Sequence, residues 1–151
     1  MLSDGTEAAS FIPILYETIK SAGLSTGITC CDAEGWDDQV TYTQQLIAAG
    51  ADQYLARITS HWYTSTGTSP IDTDLRVWET EYADLNDAFS TTWYSSGALN
   101  EGLTWAGYIY QGLVECNLSA YLYWVGELKV SFISPRESAQ PCFKSHHVLH
   151  Y

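Results

Sequence analysis

The spacing of apolar residues changes repeatedly along the first 126 positions, and the changes divide the chain into alternating elements. Ala8, Phe11, Ile12, Leu15 and Ile19 recur at helical spacing. Asp4 with Glu7 forms a capping box ahead of them and Gly23 closes the run, so a first helix is predicted there. Pro13 sits inside that pattern and is expected to kink the helix or move its start downstream. Residues 27–32 read as a buried strand, followed by a loop through Gly35, Trp36 and Asp37 and a helix ending near Gly50. Residues 57–63 form a second strand entering a Ser/Thr/Gly loop at 64–70, and residues 75–81 a third. Leu99, Leu103, Ala106, Ile109, Tyr110 and Leu113 mark an amphipathic helix, and residues 120–125 a fourth strand.

Strands separated by helices or long excursions imply right-handed crossovers and a parallel sheet covered on both faces. The predicted class is therefore α/β. Four such strands are too few for a (β/α)8 barrel, whose eight units typically take about 250 residues. No internal repeat or low-complexity segment interrupts the pattern.

Composition supports a folded chain and narrows its partners. Of 151 residues, 46% are hydrophobic and 14% aromatic, too rich a mixture for a segment that stays unfolded. The formal net charge of −12 repels phosphate backbones and anionic lipid surfaces, so neither nucleic acid nor a membrane is an expected partner. No apolar run reaches the length of a membrane span. The start, Met1-Leu2-Ser3-Asp4-Gly5, lacks the basic and apolar segments of a signal peptide, so the chain as written is expected to be soluble and unexported. Charge is unevenly placed: residues 1–126 hold 3 basic and 16 acidic side chains, residues 127–151 hold 3 and 2. That shift marks a boundary, with a discordant and irregular tail expected over 127–151.

Cysteine and glycine patterns remove several chemistries. Cys30 and Cys31 are adjacent, with Cys116 and Cys142 far off, so thiols or buried cysteines are expected rather than a disulfide framework. Cys142 with His146, His147 and His150 is an incomplete zinc ligand set, and no metal or cofactor is expected. Gly5, Gly23, Gly27 and Gly35 form no phosphate-binding fingerprint, and no Gly-x-Ser-x-Gly elbow occurs. The sequon Asn117-Leu118-Ser119 is a glycosylation acceptor if the chain is exported.

Parallel α/β folds gather function where strands end, and Asp32, His61, Tyr63, Glu81 and Trp124 fall at those ends. Aromatic faces pack on the C–H face of a pyranose while carboxyls serve a glycosidic bond, so the combination suits sugars. Taken singly, each residue has a plainer reading: a solvated or ion-paired Glu81, a hydrogen-bonded interior His61, and core tryptophans at 62, 78, 93, 105 and 124. Glu79 and Glu81, two apart on a strand, are predicted to share a face, with Glu81 nearer the C-terminal end. They cannot be a catalytic dyad, since a retaining pair flanks the scissile bond at about 5–5.5 Å from different sides.

Four segments carry a family resemblance: Ile28-Thr29-Cys30-Cys31-Asp32-x-x-Gly35-Trp36, Thr59-Ser60-His61-Trp62-Tyr63, Val77-Trp78-Glu79-Thr80-Glu81-Tyr82 and Tyr121-Leu122-Tyr123-Trp124. In order and spacing they resemble the second half of glycoside hydrolase family 30, especially its fungal endo-glycanases, over residues 1–126. The resemblance implies strands 5 to 8 of a (β/α)8 barrel with their helices. It makes Glu81 the nucleophile, places Tyr63 beside it with His61 and Trp62 in support, and makes Trp124 a sugar platform. Asp32 and Trp36 would lie on the loop after the fifth strand and line the substrate site.

The resemblance also implies retaining hydrolysis of a plant cell-wall polysaccharide, β-1,4-xylan before β-1,6-galactan, by an extracellular parent enzyme. The family's acid/base glutamate belongs to an Asn-Glu-Pro motif, and no such tripeptide occurs in the 151 residues. Negligible activity is expected of the chain alone. A non-catalytic carbohydrate-binding remnant and a plain interaction domain are the readings from other classes.

Overall fold

The computed structural model describes residues 4–85 and 90–124. The chain opens with helix α1, Gly5–Ser21. Asp4 caps it, its side chain accepting from the Glu7 backbone N–H at 2.9 Å. Pro13 lies inside the helix and does not move its start. The cap anchors the first turn ahead of the proline, which removes only its own donor.

Strand β1, Ile28–Ala33, follows, then helix α2, Trp36–Ala48, and a short 3-10 turn at Asp52–Tyr54. Strands β2, Leu55–His61, and β3, Val77–Glu81, come next. Helix α3, Gly102–Tyr110, runs on into a π turn at Gln111–Glu115 before the two-residue strand β4, Ala120–Tyr121. The strands form one parallel sheet in the order β1-β2-β3-β4. The predicted α/β class with a parallel sheet is what the chain adopts. Both the second and third strands begin or end two residues away from the predicted limits, and the fourth is shorter than 120–125, with Val125 outside the described residues. The expected boundary at 126 and the tail over 127–151, including Cys142 and its three histidines, also lie outside them.

The core sits between the sheet and the first two helices. Ile28, Cys30, Leu55, Ile58 and Val77 from the strands meet Ile12 of α1 and Leu46 of α2, all buried. Gln39 of α2 is wholly buried and spends its amide on the sheet. Its oxygen accepts from the N–H of Cys31 and Ala33, and its nitrogen donates to the Cys30 carbonyl. Cys30 and Cys31 form a disulfide across a cis peptide bond, which corrects the expectation of thiols there. Side chains on adjacent residues face opposite sides of a regular strand, so the spacing rule had no place for such a pair. Cys116 is a buried free thiol.

Helix α3 is unlike the other two. None of its residues is fully buried, and Leu103, Ile109, Tyr110 and, in the π turn, Leu113 are more than 40% exposed. The amphipathic pattern predicted a helix but not a covered apolar face.

Candidate active site

The C-terminal ends of β2 and β3 lie side by side, and the pairing between them slips at the last step. Ile58, Thr59 and Ser60 pair with Val77, Trp78 and Glu79, but His61 pairs with Glu81, leaving Thr80 as an extra residue on β3. Such a bulge breaks the two-residue alternation of the strand. Glu79 and Glu81 are therefore not equivalent neighbours on one face, as the regular spacing predicted. Glu79 is fully buried, whereas the Glu81 side chain keeps 26% exposure.

Around Glu81 stand three of the expected residues, Tyr63, His61 and Asp32. The Tyr63 hydroxyl donates to Glu81 Oε1 at 3.1 Å, and His61 Nε2 lies 3.5 Å from Glu81 Oε2. The same His61 nitrogen is 3.7 Å from Asp32 Oδ1. Asp32 takes a left-handed backbone, φ 53°, just where the pairing of β1 with β2 also shifts. Its carboxylate accepts from the Thr80 hydroxyl at 2.6 Å, and that hydroxyl also reaches the Ser60 carbonyl at 3.2 Å. Thr80 is the contact that strand alternation could not have found, because it exists only through the bulge. Tyr63 is held in turn by its backbone N–H, which donates to the Glu34 carbonyl at 3.0 Å.

The electrostatics follow from this packing. Burial raises the Tyr63 phenol well above its ordinary value, and the hydrogen bond to Glu81 and the charges of Glu81 and Glu79 raise it further. It therefore remains a donor to Glu81 at neutral pH. Burial likewise pushes the Glu79 carboxyl up to about 8, with the charge of Glu81 adding to it and the backbone N–H groups of Leu122 and Glu81 opposing it.

The remaining predicted residues are placed differently. Trp124 is half exposed, and its backbone N–H donates to the Tyr82 carbonyl at 3.0 Å. Trp62 and Trp36 are 1% and 2% exposed. Their rings meet edge to face at 6.0 Å, and Trp62 also packs on Tyr82, Tyr108 and Tyr121. Gly67 lets the 64–70 loop run across them, since a Cβ there would lie 2.6 Å from Cys116 Sγ and 2.9 Å from Trp62. Both rings are thus packed in the core, behind the residues that surround Glu81. Among the described residues no group of His, Cys, Asp and Glu is arranged to hold a metal ion, and no helix is long and apolar enough to cross a membrane.

No protein-family model matches the sequence. Among solved structures the chain is similar to the catalytic domain of GH30 xylanase C from Talaromyces cellulolyticus, with 75% sequence identity and a TM-score of 0.81. The match covers 83% of this chain and 29% of that one, so the chain spans under a third of the protein it resembles. The resemblance expected from the four motifs is met by that identity.

Proposed function

Taking the chain as a glycoside hydrolase family 30 sequence over the stretch it shares with that catalytic domain, we propose that it carries the nucleophile half of a retaining endo-β-glycanase. The four parallel strands are read as strands 5 to 8 of a (β/α)8 barrel, whose functional end lies at the C-terminal tips of the strands. The observation that carries the reading is the Tyr63–Glu81 hydrogen bond at that end, 3.1 Å long, with His61 on the other carboxylate oxygen.

In the proposed reaction a Glu81 oxygen attacks the anomeric carbon as the bond to the leaving sugar oxygen breaks, forming a glycosyl ester that water then hydrolyses. Tyr63 and His61 orient the carboxylate. In this reading Asp32, beside His61, meets sugar hydroxyls and the half-exposed Trp124 meets a pyranose face. The leaving oxygen needs a proton from an acid across the bond. The 151 residues contain no Asn-Glu-Pro tripeptide to supply it, so hydrolysis of unactivated xylan by these residues alone is expected to be negligible. Xylan is preferred over β-1,6-galactan because the similar solved domain is named a xylanase. A polysaccharide substrate fits an extracellular site of action for the intact enzyme.

The test uses a donor that needs no acid. A dinitrophenyl 2-deoxy-2-fluoro-xylobioside should add one fluoro-xylobiosyl unit to the chain, mapped to Glu81 by peptide mass. Glu81→Gln should abolish the adduct. Labelling that maps elsewhere, or survives in the variant, ends the nucleophile reading.

A further inference from the structure

The carboxyl of Glu79 is the most deeply placed acidic group near the site, and the proposed reaction does not use it. It is 0% exposed, and among the described residues no Lys, Arg or His forms an ion pair with it. A group so placed is costly to bury, and its hydrogen bonds show what it holds. Its Oε1 accepts from the Glu81 backbone N–H at 2.9 Å. Its Oε2 accepts from the Leu122 backbone N–H at 3.2 Å, a donor that also reaches the Glu79 carbonyl at 3.0 Å.

These bonds fall on the bulge. Where Thr80 is extra, the ladder between β2 and β3 is interrupted, and the backbone around it needs other partners. The Glu79 side chain supplies one for Glu81 and ties the same point to the residue after β4. We infer that Glu79 is a positioning residue for Glu81: its buried carboxyl bridges the bulged end of β3 to the chain beyond β4 and so sets the direction in which the Glu81 side chain leaves the strand.

The surroundings fit this role. Glu81, Tyr63, Tyr82 and Tyr121 are the titratable groups that feel the Glu79 charge or act on it. None is cationic, so burial favours the neutral acid, which avoids setting a second negative charge beside Glu81. This positioning role rests on the reading of Glu81 as nucleophile only for its effect on rate. The geometric part can be tested alone.

In the nitrogen-15-labelled chain, the Glu81 amide proton should show an inflection near pH 8 as Glu79 ionises, above any that its own carboxyl produces. Glu79→Gln should remove that inflection, shift the Glu81 amide resonance and slow fluoro-xylobiosyl labelling roughly tenfold or more, as small misplacements of a reacting group do. Glu79→Asp, which keeps the acid but withdraws it by one methylene, should also shift the resonance. If Glu79→Gln does not fold, the wild-type titration decides. A Glu81 amide that senses no ionisation of Glu79 at any pH overturns the positioning role, as does a Glu79→Gln chain matching wild type in resonance and labelling rate. An amide that responds as expected in a chain never labelled at Glu81 leaves the positioning role standing and removes the nucleophile.

Discussion

Among the described residues two glutamates are covered from solvent, to different depths, and are driven in opposite directions. Glu79, between the strands, is 0% exposed, and Glu101, at the start of α3, is 3% exposed. Glu79 receives two backbone N–H groups. Glu101 receives the backbone N–H groups of Ser95, Ser96 and Gly97 together with both serine hydroxyls, at 2.6–3.1 Å for the nearest contacts. Burial pushes Glu79 up to about 8, whereas hydrogen bonds, that of the Ser95 side chain first, hold Glu101 down at about 2. The exposed 95–97 loop that covers Glu101 is made of its own donors, with Gly97 at φ 80° turning the chain round the carboxylate. Depth therefore decides ionisation together with donors: Glu79 lies deep in the packing and meets two N–H groups, whereas Glu101 lies under a thin surface loop and meets five donors.

The largest test of this contrast is the alkaline limb of stability. An unfolded Glu79 releases its proton near 4.5, but the folded one keeps it to about 8. Its contribution is thus whole below pH 4.5 and lost as pH rises through 8. Urea unfolding of the chain should show a fall on the order of a few kcal/mol across that window. Glu79→Gln should flatten it. A wild-type curve already flat from pH 5 to 9 contradicts the raised value.

A smaller effect comes from removing the acid altogether. At pH 5, Glu79→Leu strands the N–H of Glu81, while that of Leu122 keeps the residue 79 carbonyl, and should cost about 1–3 kcal/mol, measured by the same unfolding. Above pH 8 the cost should shrink, because the wild-type chain then has to bury a charge. Curves for the two proteins that stay parallel would show that ionisation at residue 79 is irrelevant.

The smallest effect is on the acid side. The lowered value of Glu101 gives stability that is present above about pH 4.5 and lost as pH falls toward 2. Glu101→Gln should flatten that limb in acid titrations followed by circular dichroism, and Ser95→Ala should move its midpoint to higher pH by a lesser amount. An unchanged acid limb in both variants would mean the loop donors do not govern the carboxylate.

Much of this was legible in the amino acids, and the failures share a cause. The strands could be read because Ile28, Ile58 and Val77 supply buried positions between helices. Glu81 with Tyr63 and His61 could be read because the motifs place all three at strand ends. The register slip at Thr80 could not be, since it depends on how β3 lies against β2 and nothing in Val77-Trp78-Glu79-Thr80-Glu81 signals an extra residue. The same slip separated Glu79 from Glu81 against the expected alternation. The burial of Trp36 and Trp62 could not be read, because a tryptophan at a strand end suits a core as well as a sugar, and the cover is the distant Gly67 loop. The expected strip on α3 had the right period, but spacing alone does not say whether anything lies against it.

The slip at Thr80 also leaves β3 with two loyalties. Its root, Val77 to Glu79, keeps step with the helix-packed interior through Ile58 and Ser60, while its tip keeps step with His61. Because the phase is reset between them, substitutions that repack the root need not rotate the tip, and the hydroxyl of a single threonine, touching β1 and β2 at once, is where the two reference frames are joined.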